Sequence, residues 1–111
     1  MSEPALDPGL AAYYDRLTAE LGPLPASPTA AERRARIEEV GRREARPYPP
    51  DLKVSEHNLA LPGREIPVRL YRPASAAPTG MLVYLHGGGW VIGSIASHDR
   101  LAVELATGSG V

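Results

Sequence analysis

Three consecutive glycines, Gly87, Gly88 and Gly89, stand between a histidine and a tryptophan in the run Tyr84-Leu85-His86-Gly87-Gly88-Gly89-Trp90. Glycine has no Cβ, so its backbone reaches angles closed to other residues and lets another group approach the chain. Residues 81–85, ahead of the glycines, are apolar throughout and read as a buried strand. Residues 97–107, behind them, read as a helix. The glycines therefore fall on a strand-to-helix turn, where several backbone N–H groups can converge on one point. Acyl transfer needs such a point, because negative charge develops on the substrate carbonyl oxygen in the transition state. The donors expected are the amides of Gly87 and Gly88, with Gly89 as a third. His86 reads as a structural imidazole that orders the loop by hydrogen bonding. Trp90 reads as a residue that packs under the turn or lines an acyl pocket.

Phosphate binding fits these glycines poorly. A Walker loop carries Gly-Lys-Ser/Thr, and residues 87–94 hold no lysine. The span Gly88-Gly89-Trp90-Val91-Ile92-Gly93 also lacks the spacing of a dinucleotide fingerprint. His57 stands alone, with no cluster of metal-ligand spacing around it. There are no cysteines, which excludes disulfides and thiolate metal sites.

The elements that must hold the turn follow from hydrophobic period and punctuation. Asp7 and Pro8 start a helix over residues 7–21, with Leu10, Tyr14, Leu17 and Leu21 as its apolar stripe; Gly22-Pro23 ends it. Thr29 and Glu32 have capping-box spacing at the head of a second helix over residues 30–45. Its arginines, Arg33, Arg34, Arg36, Arg42 and Arg43, with Arg46 just beyond, are interleaved with Glu32, Glu38, Glu39 and Glu44. That pattern predicts a solvated, ion-paired face and not a nucleic-acid patch. Pro47, Pro49 and Pro50 forbid further helix. Residues 53–61 and 66–72 read as a hairpin joined by Pro62-Gly63-Arg64-Glu65, with Ile66, Val68 and Leu70 on a buried face and Pro67, Arg69 and Tyr71 on a wetter one. Residues 73–80 read as loop. Ser97 is expected to cap a helix over residues 99–106 carrying Leu101, Ala102 and Leu105 on one side, with Gly108 as its stop.

The chain has 111 residues, a formal net charge of -1 and 43% apolar residues, the size of one small domain. That charge gives no reason to expect nucleic acid or an anionic membrane as partner. No apolar run approaches the roughly 20 residues of a membrane span. The polar, acidic start Met1-Ser2-Glu3-Pro4 lacks the pattern of a signal peptide, so a cytoplasmic location is the default expectation.

Taken together, Leu6-Asp7-Pro8, the Pro-rich segment 46–50, residues 62–73, residues 86–94 and Ser97-His98-Asp99 resemble the hormone-sensitive-lipase-like branch of the α/β-hydrolase fold, over nearly the whole chain. The His-Gly-Gly-Gly turn is that fold's oxyanion element in lipases and esterases. The resemblance implies an α/β class: a helical N-terminal cap segment over residues 1–51, then the start of the hydrolase core over residues 52–111, with the sheet incomplete. It implies a carboxylic-ester hydrolase that acts on small-molecule esters without metal or cofactor. Such enzymes carry a serine on a G-x-S-x-G elbow, then an acid, then a histidine. No such elbow occurs here; Ser109 in Gly108-Ser109-Gly110 lacks the spacing. By the resemblance those groups lie downstream of Val111. The chain is thus expected to be an N-terminal portion, inactive by itself. A non-catalytic binding module, self-association, and completion by a second chain remain as alternatives.

Overall fold

The computed structural model describes residues 5–74 and 80–111; the first four residues and most of the loop expected at 73–80 lie outside the described residues. The elements are α1 (Pro8–Leu21), α2 (Ala30–Glu44), β1 (Leu52–Leu61), β2 (Arg64–Pro73) and α3 (Asp99–Gly108).

Local chemistry accounts for where the first two helices begin. The Asp7 carboxylate accepts from Gly9 N at 2.9 Å and Leu10 N at 3.3 Å, satisfying two of the amides a helix start leaves open. Thr29 and Glu32 form the reciprocal capping box: Glu32 N donates to Thr29 Oγ1 at 3.2 Å, and Thr29 N donates to Glu32 Oε2 at 2.7 Å. Those bonds hold the Glu32 carboxyl below its ordinary titration range. The α2 charges pair as the interleaving predicts. Glu39 takes Arg42 at 2.5 Å and Arg43 at 2.6 Å, and Arg43 also reaches Glu20 of α1 at 3.4 Å. Arg36 donates to the carbonyls of Leu21 and Gly22 at 2.9 and 2.7 Å, closing the end of α1.

β1 and β2 form an antiparallel hairpin closed at Leu61↔Arg64, so the loop is Pro62-Gly63 alone and shorter than the four residues the sequence suggested. Proline followed by a left-handed Gly63, φ 75°, is the chemistry of a type II turn. The sheet has two strands and is incomplete as expected.

Several expectations need correction. Residues 81–85, expected as a buried central strand, run unpaired and exposed, with Leu85 at 85% of its full accessibility. A strand exists only through its ladder, and among the described residues no neighbour offers one. The hairpin meets α3 through Arg69 and Tyr71, on the face expected to be wetter; on the face expected to be buried, Val68 and Leu70 are half-buried while Ile66, with Leu59 opposite it, stays exposed. Finally, His98 and not Ser97 occupies the cap position of α3, and it makes no side-chain cap bond. Ser97 is spent on the preceding turn, where its Oγ accepts from Ser94 N at 2.8 Å. Leu101 is exposed, and the helix runs through Gly108, the residue expected to stop it.

A polar cluster, not an apolar core, joins these elements. Asp99 Oδ1 accepts from Tyr71 at 2.5 Å, Arg69 at 2.7 Å and Tyr48 at 3.0 Å, tying the segment after α2, the hairpin and α3 to one carboxylate oxygen. Glu56, opposite Arg69 in the register, takes the other side of the guanidinium. Burial would raise the Asp99 carboxyl, but the hydrogen bonds from Tyr71, Arg69 and Tyr48 and the Arg69 charge outweigh it and hold it below its ordinary value. Burial and the carboxylate together push the Tyr71 and Tyr48 phenols up. Leu52, 7% exposed, is the one buried apolar side chain among the described residues. The accessible surface, 8664 Å², far exceeds the roughly 5,900 Å² of a compact monomer this size. The radius of gyration, 17.1 Å, likewise exceeds about 13 Å.

Candidate active site

The glycine turn lies between the unpaired segment 81–85 and the loop leading into α3. Gly88 adopts φ 132°, and a Cβ there would fall 1.9 Å from the Ile92 carbonyl oxygen. Gly93, φ 96°, packs so closely that a Cβ would meet His86 Nδ1 at 2.8 Å. Both positions admit only glycine, for conformational and steric reasons together. The loop folds back on itself through the Gly88 carbonyl, which accepts from Val91 N and Ile92 N, each at 3.0 Å.

These carbonyl bonds decide where the amides point. Every peptide bond here is trans, so the C=O of one residue and the N–H of the next point in opposite directions. His86 Nδ1 lies 2.8 Å from the Gly87 carbonyl; a carbonyl can only accept, so Nδ1 carries the proton. With that carbonyl engaged, the Gly88 N–H points the other way. With the Gly88 carbonyl turned onto Val91 and Ile92, the Gly89 N–H also points away from the loop interior. Among the described residues, the amides of Gly87, Gly88 and Gly89 donate to no protein acceptor. Residues 86–93 line an open hollow of about 460 Å³.

His86 also stacks on His98, ring centroids 5.0 Å apart and 23° between planes. Trp90 departs from expectation. It takes a left-handed backbone, φ 57°, and its side chain is fully exposed, neither under the turn nor against a wall.

Ser97, His98 and Asp99 contain the three residue types of a hydrolytic triad, yet they do not form one. Ser97 Oγ and His98 Nδ1 are 3.1 Å apart, but His98 Nδ1 also lies 3.3 Å from the Ser94 carbonyl. Asp99 is turned to Tyr71, Arg69 and Tyr48, so no carboxylate orients the imidazole.

The turn is held from outside by α2, a role not visible in the charge pattern. Arg34 Nε donates to the Val91 carbonyl at 2.6 Å. Ser94 Oγ donates to Glu38 Oε2 at 3.0 Å. A Cβ on Gly41 would lie 2.5 Å from Ser97 Cα, so helix and loop touch backbone to backbone. Positions 34, 38 and 41 share one helical face. The sequence signal was there in that spacing, but it is indistinguishable from a solvated stripe until the loop is placed against it.

The glycine turn thus lies between the unpaired segment 81–85 and the loop into α3, and among the described residues its three glycine amides are unengaged. Residues 82–111 match the family model described as an alpha/beta hydrolase fold. Relatives similar to the chain are ester hydrolases. The ethyl acetate hydrolase of Pseudomonas putida is 37% identical over 116 residues, covering 96% of this chain and 36% of that protein. The carboxylic ester hydrolase LipN of Mycobacterium tuberculosis is 45% identical over 54 residues, covering 47% of this chain and 14% of that protein. The arylesterase of Saccharolobus solfataricus is 30% identical over 59 residues, covering 53% and 19%. The chain thus spans about a third or less of the length of these relatives.

Proposed function

We propose that this chain is the N-terminal portion of a serine carboxylic-ester hydrolase, in which the amides of Gly87, Gly88 and Gly89 bind the developing oxyanion. Residues 1–51 would form the cap segment and residues 52–111 the start of the catalytic core. The observation that carries the reading is that the three glycines line an open hollow while their amides, among the described residues, donate to no protein acceptor. A serine supplied from outside this chain would attack the ester carbonyl. Its proton would pass to a histidine, and the carbonyl oxygen would become negative as the tetrahedral adduct forms. The alcohol would leave with that proton, and water would release the acid from the acyl-enzyme. His86 and Trp90 serve structure in this scheme, with His86 fixing the Gly87 peptide. The substrate is a small ester, as the relatives' names suggest for those proteins.

The test is hydrolysis of p-nitrophenyl acetate by the chain alone and by the chain joined to, or mixed with, a segment carrying a G-x-S-x-G elbow, an acid and a histidine. We expect background rates from the chain alone and turnover from the combination. A folded combination that binds ester without cleaving it would favour a binding module instead.

A further inference from the structure

We propose that Arg34 of α2 is a positioning residue for the glycine turn, orienting and polarising the Gly89 amide; the inference rests on the oxyanion reading above. Arg34 differs from its neighbours. Arg42 and Arg43 are spent on Glu39, and Arg36 closes the end of α1. Arg34 instead reaches a carbonyl 57 positions along the chain, at Val91.

From there a relay of two peptide units runs to the site. The Val91 carbonyl and the Ile92 N–H belong to one planar unit, so holding the first fixes the direction of the second. Ile92 N–H donates to the Gly88 carbonyl at 3.0 Å. The Gly88 carbonyl and the Gly89 N–H belong to the next planar unit, so that amide is fixed in turn. The path is guanidinium to Val91 carbonyl, Ile92 amide to Gly88 carbonyl, ending at the Gly89 N–H. Hydrogen bonds in such a chain polarise one another, and a permanent positive charge at its head makes the terminal N–H a stronger donor. Glu38 on Ser94 and Gly41 against Ser97 keep the same helix face seated, so the relay does not depend on one flexible side chain. The helical segment thereby sets the strength of an oxyanion donor in the core segment, in addition to lying beside it.

The experiment compares Arg34→Met, which keeps the stem and loses donor and charge, with Arg34→Gln, which keeps a donor only, and Arg34→Lys, which keeps donor and charge. Arg42→Ala removes a like charge from α2 without touching the loop and is the control. In the 15N-labelled chain, Arg34→Met should make the Ile92 amide exchange about tenfold faster and move the Gly89 resonance. Arg34→Lys should restore most of both, Arg34→Gln should fall between, and Arg42→Ala should match the wild type. In the combination that cleaves ester, Arg34→Met should lower kcat about tenfold with KM held, since the interaction acts only on the transition state. Unchanged Ile92 and Gly89 signals in Arg34→Met would overturn the relay whatever the kinetics. If Arg34→Met loses its helix signal in circular dichroism, the Gln and Lys variants decide, and equal Gly89 shifts in those two would overturn the relay. Altered signals with unchanged kcat, while deletion of the Gly87 N–H still lowers kcat about 10²–10³-fold, would overturn the positioning role and leave the oxyanion reading standing. If deleting that N–H is also harmless, the oxyanion reading itself falls.

Discussion

At Gly87 the backbone N–H and the missing side chain can be separated by substitution. An added Cβ there meets nothing within 4 Å, and its φ lies outside the left-handed region. Gly87→Ala keeps the amide, whereas Gly87→Pro deletes it. In the ester-cleaving combination we expect the proline variant to lose about 10²–10³ in kcat, the usual cost of one oxyanion donor, and the alanine variant to lose far less. Equal losses in steady-state kinetics would mean that the N–H is not used. At this scale the glycine turn was legible because Gly88 and Gly93 are the only residue type their surroundings admit. Trp90 departs from its sequence expectation because the packing partner that expectation requires is not supplied by its neighbours along the chain. A tryptophan after a turn is expected to cover something, and in this chain it is exposed. Arg34 could not be singled out, since arginines at 34 and 42 look alike until one of them finds a carbonyl.

The elements differ in how they are held, and pH separates them. α1 and α2 are fixed by caps within a few residues of their own starts, so their boundaries followed from local chemistry. α3 is held by the Asp99 cluster, assembled from residues as far apart as Tyr48 and Asp99. Arg69 and Asp99 keep only 17% and 19% of their side chains exposed, so the pair is little screened. The native Asp99 carboxyl sits below its ordinary value of 3.8, so its contribution is complete above that value and lost as pH falls through the depressed native one. The Tyr48 and Tyr71 phenols are raised above 10.0, so their contribution is complete below pH 10.0 and lost as pH rises past it. Amide exchange in α3 should therefore accelerate at both extremes. Asp99→Asn should abolish the acid limb and weaken docking by about 1–3 kcal/mol. Exchange in α3 that ignores pH below 4 would count against the cluster as its anchor.

The whole molecule is an open arrangement in which residues 81–85 present apolar side chains and unpaired backbone to solvent. Such a segment is a template for another strand. We expect amide exchange at residues 83–85 near the rate of unfolded peptide in the dilute chain. Sedimentation should show association that rises with concentration and is reduced by Val83→Lys. Strong protection of those amides in a monodisperse monomer would contradict this. By itself the sequence determined what depends on neighbours along the chain: the first two helix starts, the hairpin, and a glycine turn with amides to spare. Its apolar run at 81–85 marked a strand, but a strand needs a second backbone beside it, and no local pattern supplies one. Only the tertiary structure decided which hairpin face meets α3, that a single carboxylate gathers three elements, and that one arginine of α2 grips the turn. Each of those depends on groups distant in sequence meeting in space, where burial and competing hydrogen bonds select one partner from several of equal local merit.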